Sequence, residues 1–84
     1  MKHSAGTFES SDCLIQVSPH SETKIMIESI VMDQFGDAIH QVLSTTLQEH
    51  GLSNLLVECK DKGALDYTIK SRLETALKRG GYIE

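Results

Sequence analysis

The sequence predicts a small α+β domain. It should be a two-layer sandwich in the order β-β-α-β-α, with a three-stranded, mainly antiparallel sheet and two helices on one face. Three observations point there. Early in the chain, apolar and polar residues alternate with the period of a strand. From residue 33 the apolar spacing lengthens to that of a helix, returns to a short strand-like run near residue 55, and lengthens again. Glycines close both helical runs.

Residues 1–12 are small and polar without apolar periodicity, the pattern of a flexible leader, so residues 13–84 form the single folded domain. Cys13-Leu14-Ile15-Gln16-Val17 reads as the first strand, with Cys13, Ile15 and Val17 on one face. Ser18 to Thr23 is a turn, where Pro19 removes a backbone donor. Lys24 to Met32 is the second strand, placing Ile25, Ile27 and Val31 on one face. The short connection predicts a hairpin between the two.

Phe35, Ala38, Ile39, Val42, Leu43 and Leu47 then form an apolar stripe along one helix face. Asp33 is the expected N-cap and Gly51 the expected stop. Gly36 reads either as a close-packing position or as an ordinary first-turn residue. Leu55 to Cys59 is the third strand, and the strand–helix–strand connection predicts parallel neighbours. After a turn at Asp61-Lys62-Gly63, the residues Leu65, Ile69, Leu73, Ala76 and Leu77 form the second stripe, closed by Gly80-Gly81. Lys78 and Arg79 complement the dipole at its end.

The chain has 84 residues, near the lower end of what folds on one core, and so has no room for a deep enclosed active site. Eight basic against twelve acidic residues give a net charge of −4, without the basic footprint that nucleic-acid binding needs. No apolar run is long enough to cross a bilayer, and the start lacks the apolar region of a secretory signal, so cytoplasm is the expected location. There Cys13 and Cys59 should be free thiols buried as small hydrophobes. His3, His20, His40 and His50 are scattered without metal-ligand spacing, so no metal site is expected.

One segment has the makings of an attachment site. Ser10 lies among small residues just before the first strand, with Glu9 and Asp12 keeping the segment in water. Local sequence alone favours the plainer reading, that Ser10 and Ser11 are solvated loop serines or that one of them caps a turn. The run Ala5-Gly6-Thr7-Phe8-Glu9-Ser10-Ser11-Asp12 resembles the Ala-Gly-Thr-x-Glu-Ser-Gly-Asp segment of the citrate lyase acyl carrier (gamma chain) family. Two further stretches extend the resemblance over most of the chain. They are Gln34-Phe35-Gly36-Asp37-Ala38-Ile39, and Asp61-Lys62-Gly63-Ala64-Leu65-Asp66 followed by Arg72-Leu73-Glu74. Ser11 departs from the pattern by standing where the family usually has glycine.

The resemblance implies a non-catalytic carrier whose Ser10 bears 2'-(5''-phosphoribosyl)-3'-dephospho-CoA through a phosphodiester. The implied partners are the citrate lyase transferase and lyase subunits and the transferase that attaches the prosthetic group. The arm's thiol would shuttle acetyl and citryl groups as citrate is cleaved to oxaloacetate and acetate. The carrier of malonate decarboxylase, with the same type of arm, is the nearest alternative. A four-helix acyl carrier fits less well, given the strand-rich first third and the missing Asp-Ser-Leu triplet. Readings of other classes are a cofactor-free protein-interaction module, and more remotely a small hydrolase using Cys13. Lys62, Lys70, Arg72, Lys78 and Arg79 put positive charge around the second helix, either as a solvated face or as contacts for the arm's phosphates.

Overall fold

A computed structural model describes residues Met1–Glu84. The order is β1 (His3–Gly6), β2 (Cys13–Pro19), β3 (Lys24–Ser29), α1 (Met32–Glu49), β4 (Leu55–Asp61) and α2 (Asp66–Arg79). One mixed sheet runs β1-β2-β4-β3, with β1–β2 and β2–β4 antiparallel and β3–β4 parallel. The α+β class and the mainly antiparallel sheet are as the sequence predicts, as is the parallel pair joined through a helix. The strand count is four instead of three.

The extra strand comes from the segment assigned to the leader. His3–Gly6 pairs antiparallel with Leu14 to Val17, and Ala5 is buried. Four residues with one buried side chain are too short to show a period, so only a neighbour could reveal them. Ala5, Ile15, Cys59 and Ile27 lie in one row across the sheet. Their face carries the core with Ile39, Leu43 and Leu47 of α1 and Ile69, Leu73, Ala76 and Leu77 of α2.

The expected hairpin between the second and third strands is not formed: β2 and β3 are separated by β4. The intervening loop crosses the start of β4, where His20 N–H donates to Asn54 O at 3.0 Å and Asn54 N–H donates to Thr23 Oγ1 at 3.0 Å. β4 buries Leu55, Val57, Cys59 and Asp61, whereas β3 leaves every second residue exposed and the others half-buried. The strand with the more apolar face takes the centre, where both edges are paired and its face is fully covered.

α1 begins at Met32 with Val31 at the cap position, so Asp33 lies inside the first turn and not at the N-cap. It still complements the helix dipole there. At the other end Gly51 is at φ +66°, with Leu52 N–H donating to Leu47 O and Gly51 N–H to Gln48 O. That is the paired bonding which ends a helix on a left-handed residue. α2 ends in the same way, Tyr82 N–H donating to Leu77 O. Gly36 is buried beneath the Met32 side chain, which favours its close-packing reading. No helix is long and apolar enough to cross a membrane.

Candidate functional site

Ser10 sits at the tip of the β1–β2 connection, residues 7–12, and is exposed. The loop is tightly built. It leaves β1 at Gly6, whose φ of +104° and proximity to Cys13 exclude a side chain, because a Cβ there would overlap the Cys13 carbonyl oxygen. Thr7 N–H donates to Cys13 O at 3.2 Å and Asp12 N–H to Glu9 O at 3.1 Å. The Thr7 hydroxyl accepts from Glu9 N–H at 3.1 Å and donates to Asp12 Oδ2 at 2.8 Å.

Asp12 is the hub. Besides Thr7, it accepts Cys13 N–H at 2.7 Å and a two-point contact from Arg72, Nε to Oδ1 at 3.0 Å and Nη2 to Oδ2 at 2.9 Å. The Arg72 hydrogen bond, with help from the Cys13 amide and Thr7, holds the Asp12 carboxyl down at about 2 against the opposing effect of burial. The loop is also tied to the turn after β4: Ser11 N–H donates to Lys62 O at 2.8 Å and Lys62 N–H to Asp12 O at 2.9 Å. These bonds run through Thr7, Asp12 and backbone groups, and leave the Ser10 hydroxyl out. The loop thus presents the Ser10 hydroxyl to solvent, with that of Ser11 beside it.

Ser11 is exposed too, but its φ is +64°, in the left-handed region where a side chain costs energy and glycine does not. This gives a physical reason for glycine at that place in the pattern the sequence resembles.

The turn after β4 is organised by Asp61, which is buried. Its carboxylate accepts from the Ser29 hydroxyl at 2.8 Å, Gly63 N–H at 3.2 Å and Ala64 N–H at 2.9 Å. Beside this turn a groove of about 510 Å³ opens between the starts of α1 and α2. Phe35, Ala38 and Leu65, which periodicity places on core stripes, line it and remain exposed.

The remaining sequence candidates separate clearly. Arg72 is joined to Asp12, while Lys62 stays exposed beside the Ser10 loop. Lys70 pairs with Glu49 at 3.0 Å and His50 with Glu74 at 2.8 Å, bridging α1 and α2. Cys13 and Cys59 are buried free thiols, and Cys59 is pushed up by its hydrogen bond to Cys13 and by burial. Such a pair offers no accessible nucleophile. The Asp12–Arg72 contact joins residues 60 apart, and no spacing rule in one sequence reaches that far.

A protein-family model described as malonate decarboxylase delta subunit (MdcD), an acyl carrier family, matches residues 1–80. Curated relatives named citrate lyase acyl carrier protein are similar over most of their length. The one from Halothermothrix orenii is 44% identical over 77 residues, 90% of this chain and 82% of the relative. That from Treponema denticola is 40% identical over 74 residues, 88% and 85% of the two chains. That from Lactobacillus acidophilus is 46% identical over 76 residues, 89% and 78%. Among solved structures, a chain of a Pseudomonas malonate decarboxylase hetero-tetramer in complex with malonate superposes with a TM-score of 0.76. It is 17% identical, with 92% of this chain and 80% of that one covered; at that identity the likeness is one of fold.

Proposed function

The chain belongs to the citrate lyase acyl carrier protein family, and on that premise we propose that it is the acyl carrier subunit of citrate lyase, with Ser10 as the attachment residue. The observation that carries this is the Ser10 hydroxyl, exposed and without a hydrogen bond at the tip of a loop that Thr7, Asp12 and Arg72 hold in place. A group joined by a phosphodiester needs such a hydroxyl, open to a transferase and free of competing hydrogen bonds.

The residues fit the arm 2'-(5''-phosphoribosyl)-3'-dephospho-CoA. Ser10 would form the phosphodiester, and exposed Lys62, bonded through its backbone to the loop, would supply positive charge for its phosphates. When bound, the arm supplies a thiol that carries acyl groups between the transferase and lyase subunits. The chain's own residues do two things. The Asp12–Arg72 pair and the Ser11–Lys62 backbone bonds hold the loop in one shape for recognition. The tether keeps the thiol at high effective concentration near both subunits. No side chain here need act as acid or base.

Malonate decarboxylase carriage is the second reading, favoured by the matching family model. The 40% to 46% identity to citrate lyase carriers places it second. The test is the intact mass and peptide map of the chain purified from citrate-grown cells of its own organism. A phosphoribosyl-dephospho-CoA adduct on Ser10, lost in Ser10→Ala and kept in Ser11→Ala, is the expected result. An unmodified chain removes the carrier reading. Loaded chain that supports malonate but not citrate turnover with the respective subunits selects the second reading.

A further inference from the structure

We propose that the groove between the first turns of α1 and α2 is a resting site for the neutral pantetheine end of the arm carried on Ser10. This rests on the carrier reading and deepens it. The groove is mainly apolar, lined by Val31, Phe35, Ala38, Leu65 and Tyr67 together with the carboxylates of Asp61 and Asp66. Phe35 is 52% exposed, Leu65 59% and Tyr67 73%, so three large side chains are left uncovered around one groove. Three of the positions that helical periodicity assigns to the core are left open here, all in this one place.

The groove lies close to the attachment point. Ser11 is bonded to Lys62, and Lys62 precedes Gly63 on the groove wall. From Ser10 to Gly63 is thus roughly 13 Å at most, counting about 3.8 Å per peptide step and about 5.5 Å across a hydrogen-bonded pair. The arm, a nucleotide followed by pantetheine, outreaches that span. Tethering makes docking intramolecular, so weak contacts suffice.

The chemistry of the walls suits pantetheine more than the arm's charged half. Its methyl and methylene groups match the apolar side chains. Its amide carbonyls need donors, and the groove offers them: no side chain caps α2, so the Asp66 and Tyr67 amides at its start have no acceptor within the helix. Asp61 and Asp66 are the charged side chains in the lining, and both carboxylates disfavour the phosphates and leave them on the Lys62 side.

The test compares loaded and unloaded carrier in isolation, with loading verified by mass, through amide NMR spectra. Expected are shifts at Phe35, Ala38, Gly63, Leu65 and Tyr67 in addition to those of residues 7–12. Shifts confined to residues 7–12 in a loaded chain overturn the docking and leave the carrier role standing. Groove shifts that appear only when a transferase or lyase subunit is added also overturn it, and give the groove to that partner. A chain that its own organism never loads ends the carrier reading and this inference with it. A second readout is the rate at which a disulfide reagent modifies the arm's thiol, with the unloaded chain as baseline for Cys13 and Cys59. Docking for nine-tenths of the time slows the loaded thiol about tenfold relative to free CoA. Leu65→Lys should restore the rate, and Met26→Lys, on the opposite face of the sheet, should not. A parent thiol as reactive as free CoA overturns the proposal.

Discussion

Two aspartates lie at the same end of the sheet, and the molecule uses them in opposite ways. Asp12 immediately precedes β2 and Asp61 closes β4, opposite Cys13. Asp61 is buried, and its charge is met by a hydroxyl and two backbone amides from the turn it closes. Asp12 is only partly covered by comparison, its side chain 13% exposed, and its charge is met by the more exposed arginine of the far helix. The buried carboxylate shapes a turn and, through it, the groove. The partly covered one locks a loop while leaving that loop's tip in solvent. A residue that must be presented to other enzymes is better held by a surface ion pair than by burial, because burial would take the tip with it.

The contrast is open to breakage in four places. The largest stability effect should come from Asp61→Ala, which strands the Gly63 and Ala64 amides and the Ser29 hydroxyl; about 3 kcal/mol should be lost in denaturant unfolding. A loss below 1 kcal/mol would show that the turn stands without its carboxylate. Asp12→Asn should cost about 1 kcal/mol, after allowance for solvent screening of its partner.

The pH dependence carries the same information. Because folding depresses the Asp12 carboxyl to about 2, its contribution is fully present above its unfolded value, near 3.8. It fades as the pH falls towards and through 2. Unfolding midpoints of the parent chain and Asp12→Asn should therefore converge between pH 4 and about 2. Curves that stay parallel over that window would mean that the pair adds nothing specific.

Ser11→Gly should stabilise the chain by about 0.5–1 kcal/mol, since it relieves a left-handed side-chain residue in the same loop. A melting temperature that falls instead would show that the Ser11 side chain has a role of its own. Ser10→Ala should change stability least of all, by less than about 0.5 kcal/mol, while removing loading altogether. That separation of stability from loading is the sharpest form of the comparison.

The resemblance placed Ser10 on a segment read as a flexible leader. The structure keeps Ser10 exposed but puts β1 before it and an ordered loop around it. What was missed is the frame: the pairing of β1, the Arg72 contact and the groove. Phe35, Ala38 and Leu65 show why. Their spacing correctly reports a helix face or the approach to one, but spacing does not report whether a neighbouring element covers that face. Leu65 illustrates the limit directly, because it precedes α2 at the cap position and so lies off the stripe it seemed to begin.

The sequence by itself determined what depends on neighbours a few residues apart. Alternation marked β2, β3 and β4; the longer period marked both helices; Gly51 and Gly80-Gly81 marked their ends. Each follows from local backbone geometry and from which side chains can share a face. Only the tertiary structure decided that β4 would enter between β2 and β3, that residues 3–6 would join the sheet, and that Arg72 would reach Asp12. Those outcomes come from competition among distant partners for the central strand position and for an unpaired charge. Burial and hydrogen bonding settle that competition only once the whole chain has folded.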